Sequence, residues 1–198
     1  MHPAALFHTH DVQTLVLRLR AHPFVIIAAN GDTGPVIAHA PILISNDGRE
    51  IRFHLSRKNA LVPILTNGTF VKVVSTGAHA YISPDWYGIE DQVPTWNYLS
   101  VEAEGSISSL STVEATQLLD ELSALFEADL APKPPWTPNK MAKGVFDRMM
   151  RGIVGYSLVV QSLAGITKLS QNKSSMAQQT VIDALGASHP IARAMAED

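Results

Sequence analysis

Apolar residues recur along this chain in two alternating rhythms, one of helices and one of strands. Val12, Leu15, Val16 and Leu19 repeat at helical spacing, which predicts a helix from Asp11 to about Ala21, with Thr9 or Asp11 as its cap and Pro23 ending it. Phe24 to Asn30 is a short apolar, β-branched run that reads as a buried strand. The turn Gly31-Asp32-Thr33-Gly34 leads into a second strand, Pro35 to Ile44, and Asn46-Asp47-Gly48 folds it back onto a third, Glu50 to Ser56. In that third strand Ile51, Phe53 and Leu55 face a core, and Arg52, His54 and Ser56 face the side left for a ligand or partner.

The pattern then predicts a short helix over Asn59 to Leu65, stopped by Asn67-Gly68, and further strands at Thr69–Ser75, Ala80–Ser83 and Val93–Gly105. In the last of these Thr95, Asn97, Leu99, Val101 and Ala103 share one face, opposite Trp96, Tyr98, Ser100 and Glu102. Ser111 with Glu114 three residues on is a capping box, and the helix it opens carries Leu118, Leu119, Leu122, Leu125 and Phe126 on its apolar side. Four prolines between Pro132 and Pro138 make that stretch an irregular connection or lid. A helix is expected from Asn139 to about Met150, a strand over Ile153–Leu163, a turn at Ala164-Gly165, a return strand Ile166–Leu169, and a final helix Ser175–Leu185 before a short tail. Several short antiparallel strands with helices at the start, middle and end give an α+β barrel or sandwich, read as one domain over residues 1–198 with a C-terminal helical extension.

Composition narrows the function. The 198 residues are 46% hydrophobic and 17% charged, the signature of an ordered domain with a sizeable core. A net charge of -3 and a pI near 6.2 speak against a broad basic surface for nucleic acid. The absence of cysteine excludes disulfides, thiol catalysis and cysteine-ligated zinc. With no secretory leader and no apolar run near the ~18 residues that span a bilayer, the expected location is cytoplasmic.

Candidate chemistry concentrates in His79–Tyr98, where Trp86-Tyr87 and Trp96-Asn97-Tyr98 are interleaved with Ser83, Thr95 and Asn97. Aromatic faces beside convergent polar groups suit a flat polar ligand better than a plain core would. His54-Leu-Ser-Arg57-Lys58-Asn59, at a strand end and an expected helix start, could cradle a phosphate; a solvated basic turn is the rival account. Lys168-Leu-Ser-Gln171-Asn172 is a second polar cluster at a strand end. His39, His54 and His79 lack any metal-ligand spacing, and no nucleophile elbow, Walker loop or dinucleotide fingerprint is present.

Taken together, the strings AYISPDWY, VPTWNY and KLSQN, with HLSRKN upstream, resemble those of the PaiB-type FMN-binding negative transcriptional regulators over nearly the whole chain. The resemblance implies a split β-barrel of the pyridoxamine-phosphate-oxidase and flavin-reductase kind, with peripheral helices and FMN held at the interface of a homodimer. It implies a flavin-dependent oxidoreductase, acting on an unnamed small molecule, or a flavin-responsive negative regulator. The cofactor residues expected from the matching strings are His54, Arg57, Asn59, Ser83, Trp86, Thr95, Trp96, Asn97, Tyr98, Lys168, Gln171 and Asn172. Within that set Trp86, Trp96 and Tyr98 would pack on the ring, Thr95, Asn97 and Gln171 would bond its polar edge, and His54, Arg57 and Lys168 would hold the phosphate. Two alternatives remain at this point: a direct DNA-binding repressor, supported by the basic run Lys133–Arg151, and a haem-binding split barrel.

Overall fold

In the computed structural model, which describes residues 2–197, alternation becomes a sheet whose order closes on itself. Seven antiparallel strands are β1 (His8–Thr9), β2 (Phe24–Gly31), β3 (Gly34–Ile44), β4 (Glu50–Ser56), β5 (Phe70–Ile82), β6 (Thr95–Ser109) and β7 (Ile153–Lys168). They run in the order β1-β7-β4-β3-β2-β5-β6, and β6 pairs again with β7, so that no edge is left between them. The helices are α1 (Val12–Ala21), α2 (Thr112–Ala128), α3 (Val145–Met150), α4 (Ser175–Leu185) and α5 (Pro190–Glu197). This is the α+β split β-barrel that the motifs imply.

The described chain divides into two compact units, and β5, β6 and β7 each contribute residues to both. Unit 1 comprises residues 1–11, 76–101 and 164–198; unit 2 comprises residues 12–75 and 102–163. The core of unit 2 is the inward half of each alternation: Val25 and Ile27 of β2, Ile42 of β3, Ile51, Phe53 and Leu55 of β4, Val71 and Val73 of β5, with Leu15, Val16 and Leu19 of α1. In unit 1, Ile82, Tyr87, Leu169, Val181, Ile191 and Met195 form the core, and α4 and α5 supply half of it.

Local signals held where turn chemistry was strong. The capping box forms as read, with Ser111 accepting from Glu114 N and the Glu114 carboxylate accepting from Ser111 N at 2.7 Å. Gly48 needs both its positive φ of 71° and its lack of a side chain, because a Cβ there would lie 3.0 Å from Leu163 and Val12.

Six expectations are corrected. Residues 59–65 form turns, not a helix: the Asn59 carboxamide oxygen accepts from Leu61 N at 2.9 Å in an Asx turn, and Pro63 withholds a donor. Phe70–Ile82 is one strand, because Gly77 stays extended. Ile153–Lys168 is likewise one strand, because Gly165 pairs with Thr9 of β1 instead of turning. The helix expected over 139–150 breaks at Gly144, whose φ of 76° leaves only Val145–Met150 helical. The supposed tail is the helix α5: Pro190 sits in its first turn, His189 Nδ1 accepts from Ile191 N at 3.1 Å, and Ile191, Ala192 and Met195 are buried. Leu125, assigned to the apolar side of α2, is exposed.

Candidate functional site

In unit 1 the start of β6 and the turn after β7 come together, which unites the motifs VPTWNY and KLSQN. Lys168 Nζ donates to Thr95 Oγ1 at 2.6 Å, across 73 residues of sequence. Beside that contact lies a cavity of about 230 Å³, bordered by Phe7, Tyr87, Thr95, Asn97, Lys168 and Lys173, with Asn172 also on its wall.

Its floor is a closed polar network. Ser170 has a left-handed backbone, φ 64°, a conformation that a non-glycine residue adopts only when its surroundings hold it there. Its hydroxyl lies 2.8 Å from the Tyr87 hydroxyl and accepts from Asn97 Nδ2 at 3.0 Å. Asn97 is 0% exposed, and its Nδ2 also contacts Met195 Sδ of α5 at 3.5 Å. A buried carboxamide, a phenol and a hydroxyl thus satisfy one another and fix the turn that carries Lys168.

The two ammonium groups each make one hydrogen bond and keep further donors. Lys168 Nζ stands 5.8 Å above the Phe7 ring and Lys173 Nζ 5.2 Å above the Tyr87 ring, with Lys173 also donating to Gln92 Oε1. Among the described residues neither has a carboxylate partner, and burial pushes the Lys168 amine below its ordinary range. Two cations with donors to spare, on a fixed polar floor beside aromatic faces, are equipped for an anionic aromatic ligand.

The other expected residues fall into separate settings. Gln171 uses its carboxamide to brace its own turn, accepting from Leu169 N at 2.7 Å and donating to Thr167 O at 2.6 Å. Trp96 lies on the face of β6 opposite Thr95 and Asn97. It is 53% exposed, with its ring 6.1 Å from His79 and 6.1 Å from Tyr81. Tyr98 shares that outer face, half-buried. Trp86 packs against the unit 1 core, and Ser83 precedes the 3-10 turn Pro84–Tyr87 without capping it.

His54, Arg57 and Asn59 belong to unit 2. The helix start that was to cradle a phosphate there does not form, since Asn59 is held in its Asx turn. Arg57 donates from Nε to Arg151 O at 3.1 Å and from Nη2 to Ile153 O at 3.0 Å, so Nη1 is the nitrogen left over. It borders a cavity of about 650 Å³ with Arg151, Asp147 and the first turn of α2. The side of β4 expected to be open is partly covered, because Arg52 donates to Glu121 of α2 at 2.5 Å. His54 Nδ1 is buried with no hydrogen-bond partner, and desolvation holds the imidazole below its ordinary pKa.

Sequence reasoning missed Tyr87, Ser170, Lys173, Phe7 and Met195. Tyr87 and Ser170 lay inside the quoted motifs, but nothing local marked them as partners.

Comparison with known proteins agrees with the motifs. A family model described as "Putative FMN-binding domain" matches residues 1–162. The Bacillus subtilis (strain 168) protein named protease synthase and sporulation protein PAI 2 is 32% identical over 167 residues, 82% of this chain and 79% of its own length. Among solved structures, the FAD and heme binding protein of Mycobacterium smegmatis superposes with a TM-score of 0.60 at 16% identity, covering 81% of this chain and 73% of that one. The flavocytochrome Anf3 of Azotobacter vinelandii gives 0.63 at 12% identity, covering 85% and 72%. At such identities the two structures speak for the fold.

Proposed function

This chain belongs to the PaiB-type FMN-binding domain family, and from that premise we propose that it is a homodimeric FMN-binding protein whose bound flavin serves a redox reaction or reports flavin state to gene regulation. The observation that carries the reading is the meeting of VPTWNY and KLSQN around two carboxylate-free lysines. When bound, the flavin supplies the hydride or electron transfer. The protein's share is binding and orientation, which explains why no acid–base pair or nucleophile stands at the site.

In this proposal Lys168 and Lys173 meet the ligand's negative charge, while Thr95 and Asn172 offer hydrogen bonds at the cavity wall. Asn97, Ser170, Tyr87 and Gln171 hold those groups in place. Arg57 and Asn59 are assigned to the phosphate, supplied by the second protomer. His54 stays with the phosphate set, since a neutral imidazole keeps one N–H that can donate to a phosphate oxygen. Support for a dimer comes from apolar side chains left in water: Tyr81 and Trp96 in unit 1, and Phe24, Ile37 and Phe70 in unit 2. The name of the Bacillus relative, protease synthase and sporulation protein PAI 2, links that protein to protease synthase and sporulation.

Direct operator binding draws less support from the basic run at residues 133–151. Lys133 pairs with Glu127, Lys140 donates to Pro135 O at 2.9 Å, and Arg151 donates to Asp147 O at 3.4 Å. The test is the visible spectrum and subunit mass of freshly purified protein, followed by FMN titration. A flavin band on a dimer is the expected result. A colourless monomer that ignores added FMN would refute the reading, and a Soret band without flavin would put haem in its place.

A further inference from the structure

In unit 2 the chain fastens one arginine to the turn that carries another. Arg57, just past the end of β4, donates from its backbone N to Gly152 O at 2.8 Å, from Nε to Arg151 O at 3.1 Å and from Nη2 to Ile153 O at 3.0 Å. A long exposed side chain ordinarily keeps its rotamer freedom, and holding this one in place costs entropy that the two carbonyl acceptors offset. The Arg57 guanidinium therefore has a fixed position, with Nη1 turned to no partner.

Arg151 keeps more of its donors. Its one printed bond runs from Nη1 to Asp147 O at 3.4 Å, and its side chain borders the same cavity of about 650 Å³ as Arg57. Among the described residues neither guanidinium lies within ion-pair distance of a carboxylate, whereas Arg49 and Arg52 of the same unit pair with Asp47 and Glu121. Asp147 is the one carboxylate on the described wall, so two guanidiniums leave that wall net positive. Like charges there stay uncompensated until an anion enters. Ser111, whose hydroxyl accepts from Glu114 N and keeps its own O–H, and Thr112 add neutral donors. The start of α2 is not the source of the attraction, because the Glu114 carboxylate already stands at it in the capping box.

Resting on the FMN reading above, we propose that this cavity receives the flavin's phosphate and that Arg151, which lies in none of the four motif strings, acts with Arg57 to select FMN over unphosphorylated riboflavin. A phosphomonoester carries about two negative charges at neutral pH and three acceptor oxygens, which two guanidiniums match. Riboflavin has a hydroxyl at that position and leaves both arginines without a counter-charge. Arg151 is thus a residue of binding and selectivity, with no part in electron transfer.

The test is titration of the full-length protein with FMN and with riboflavin, read by flavin fluorescence, because the ratio of the two dissociation constants isolates the phosphate. FMN should bind about a hundredfold tighter than riboflavin. Arg151→Met should cut that ratio about tenfold by weakening FMN alone, and Arg151→Lys, which keeps the charge and loses the fork, should restore part of it. An unchanged ratio in Arg151→Met, with FMN still bound, would overturn the proposal and leave the FMN reading standing. Equal losses for both flavins would overturn it by giving Arg151 a structural role. A ratio that collapses in Lys168→Met instead would do the same by moving the phosphate to the unit 1 cavity. Binding of neither flavin by the unmodified protein would remove the FMN reading, and the proposal with it.

Discussion

In unit 1 three polar side chains, Tyr87, Ser170 and Asn97, are buried together and satisfy one another; in unit 2 a single imidazole, His54, is buried with a nitrogen that nothing satisfies. Both cost desolvation, but only the first recovers it inside the protein. The closed network therefore acts as framework beside Lys168 and Lys173, the groups proposed to meet a ligand. The open one is an uncompensated cost to folding.

The comparison is sharpest in Asn97→Leu against His54→Phe. The first strands two buried hydroxyls and should destabilise by about 3 kcal/mol in chemical denaturation. The second removes an orphan and should leave stability unchanged or raised. Equal losses from both would erase the distinction drawn here.

Lys168→Met comes next in size. It deletes one of two cavity cations from a position that already disfavours charge, so FMN affinity should fall about tenfold with little change in stability. Conversely, bound FMN should raise the amine's depressed pKa, seen as ligand-linked proton uptake on the alkaline side.

pH offers a third probe. The folded His54 has a pKa below its unfolded value of 6.5, so the unfolded chain takes up a proton first. Stability should be unaffected above that value and decline as pH falls through it, levelling off below the folded pKa. The decline should be shallower in His54→Phe, and identical acid profiles would show that His54 does not titrate in this way.

Smallest is the partly exposed ion cluster of unit 2, where Lys72 lies 2.8 Å from Glu102 and 2.7 Å from Glu104, bonds that raise its pKa to about 12. A raised pKa means stability present below the unfolded value and lost as pH climbs through the folded one. Exposure screens the pair, so Lys72→Met should cost less than about 1 kcal/mol, and less still at high salt.

Much of this was legible in advance, wherever a decision rests on neighbours in sequence. The spacing Leu15, Val16, Leu19 produced α1, Ser111 with Glu114 capped α2, Asn46-Asp47-Gly48 turned the hairpin, and the four motif strings named the family. α5 could have been read from Ile191, Ala192 and Met195, had Pro190 been taken as a helix start. Other features had no local signal. Whether Gly77 and Gly165 would turn or extend depended on strands pairing with them, and a glycine permits either. That Lys168 would meet Thr95, that Asn97 would be spent on Ser170, and that Trp96 would face away from both followed from contacts some 73 residues apart. Sequence determines what a short stretch can do at little free-energy cost; which of two acceptable conformations wins, and which polar groups are left over for a ligand, is decided by partners that only the closed barrel brings within reach.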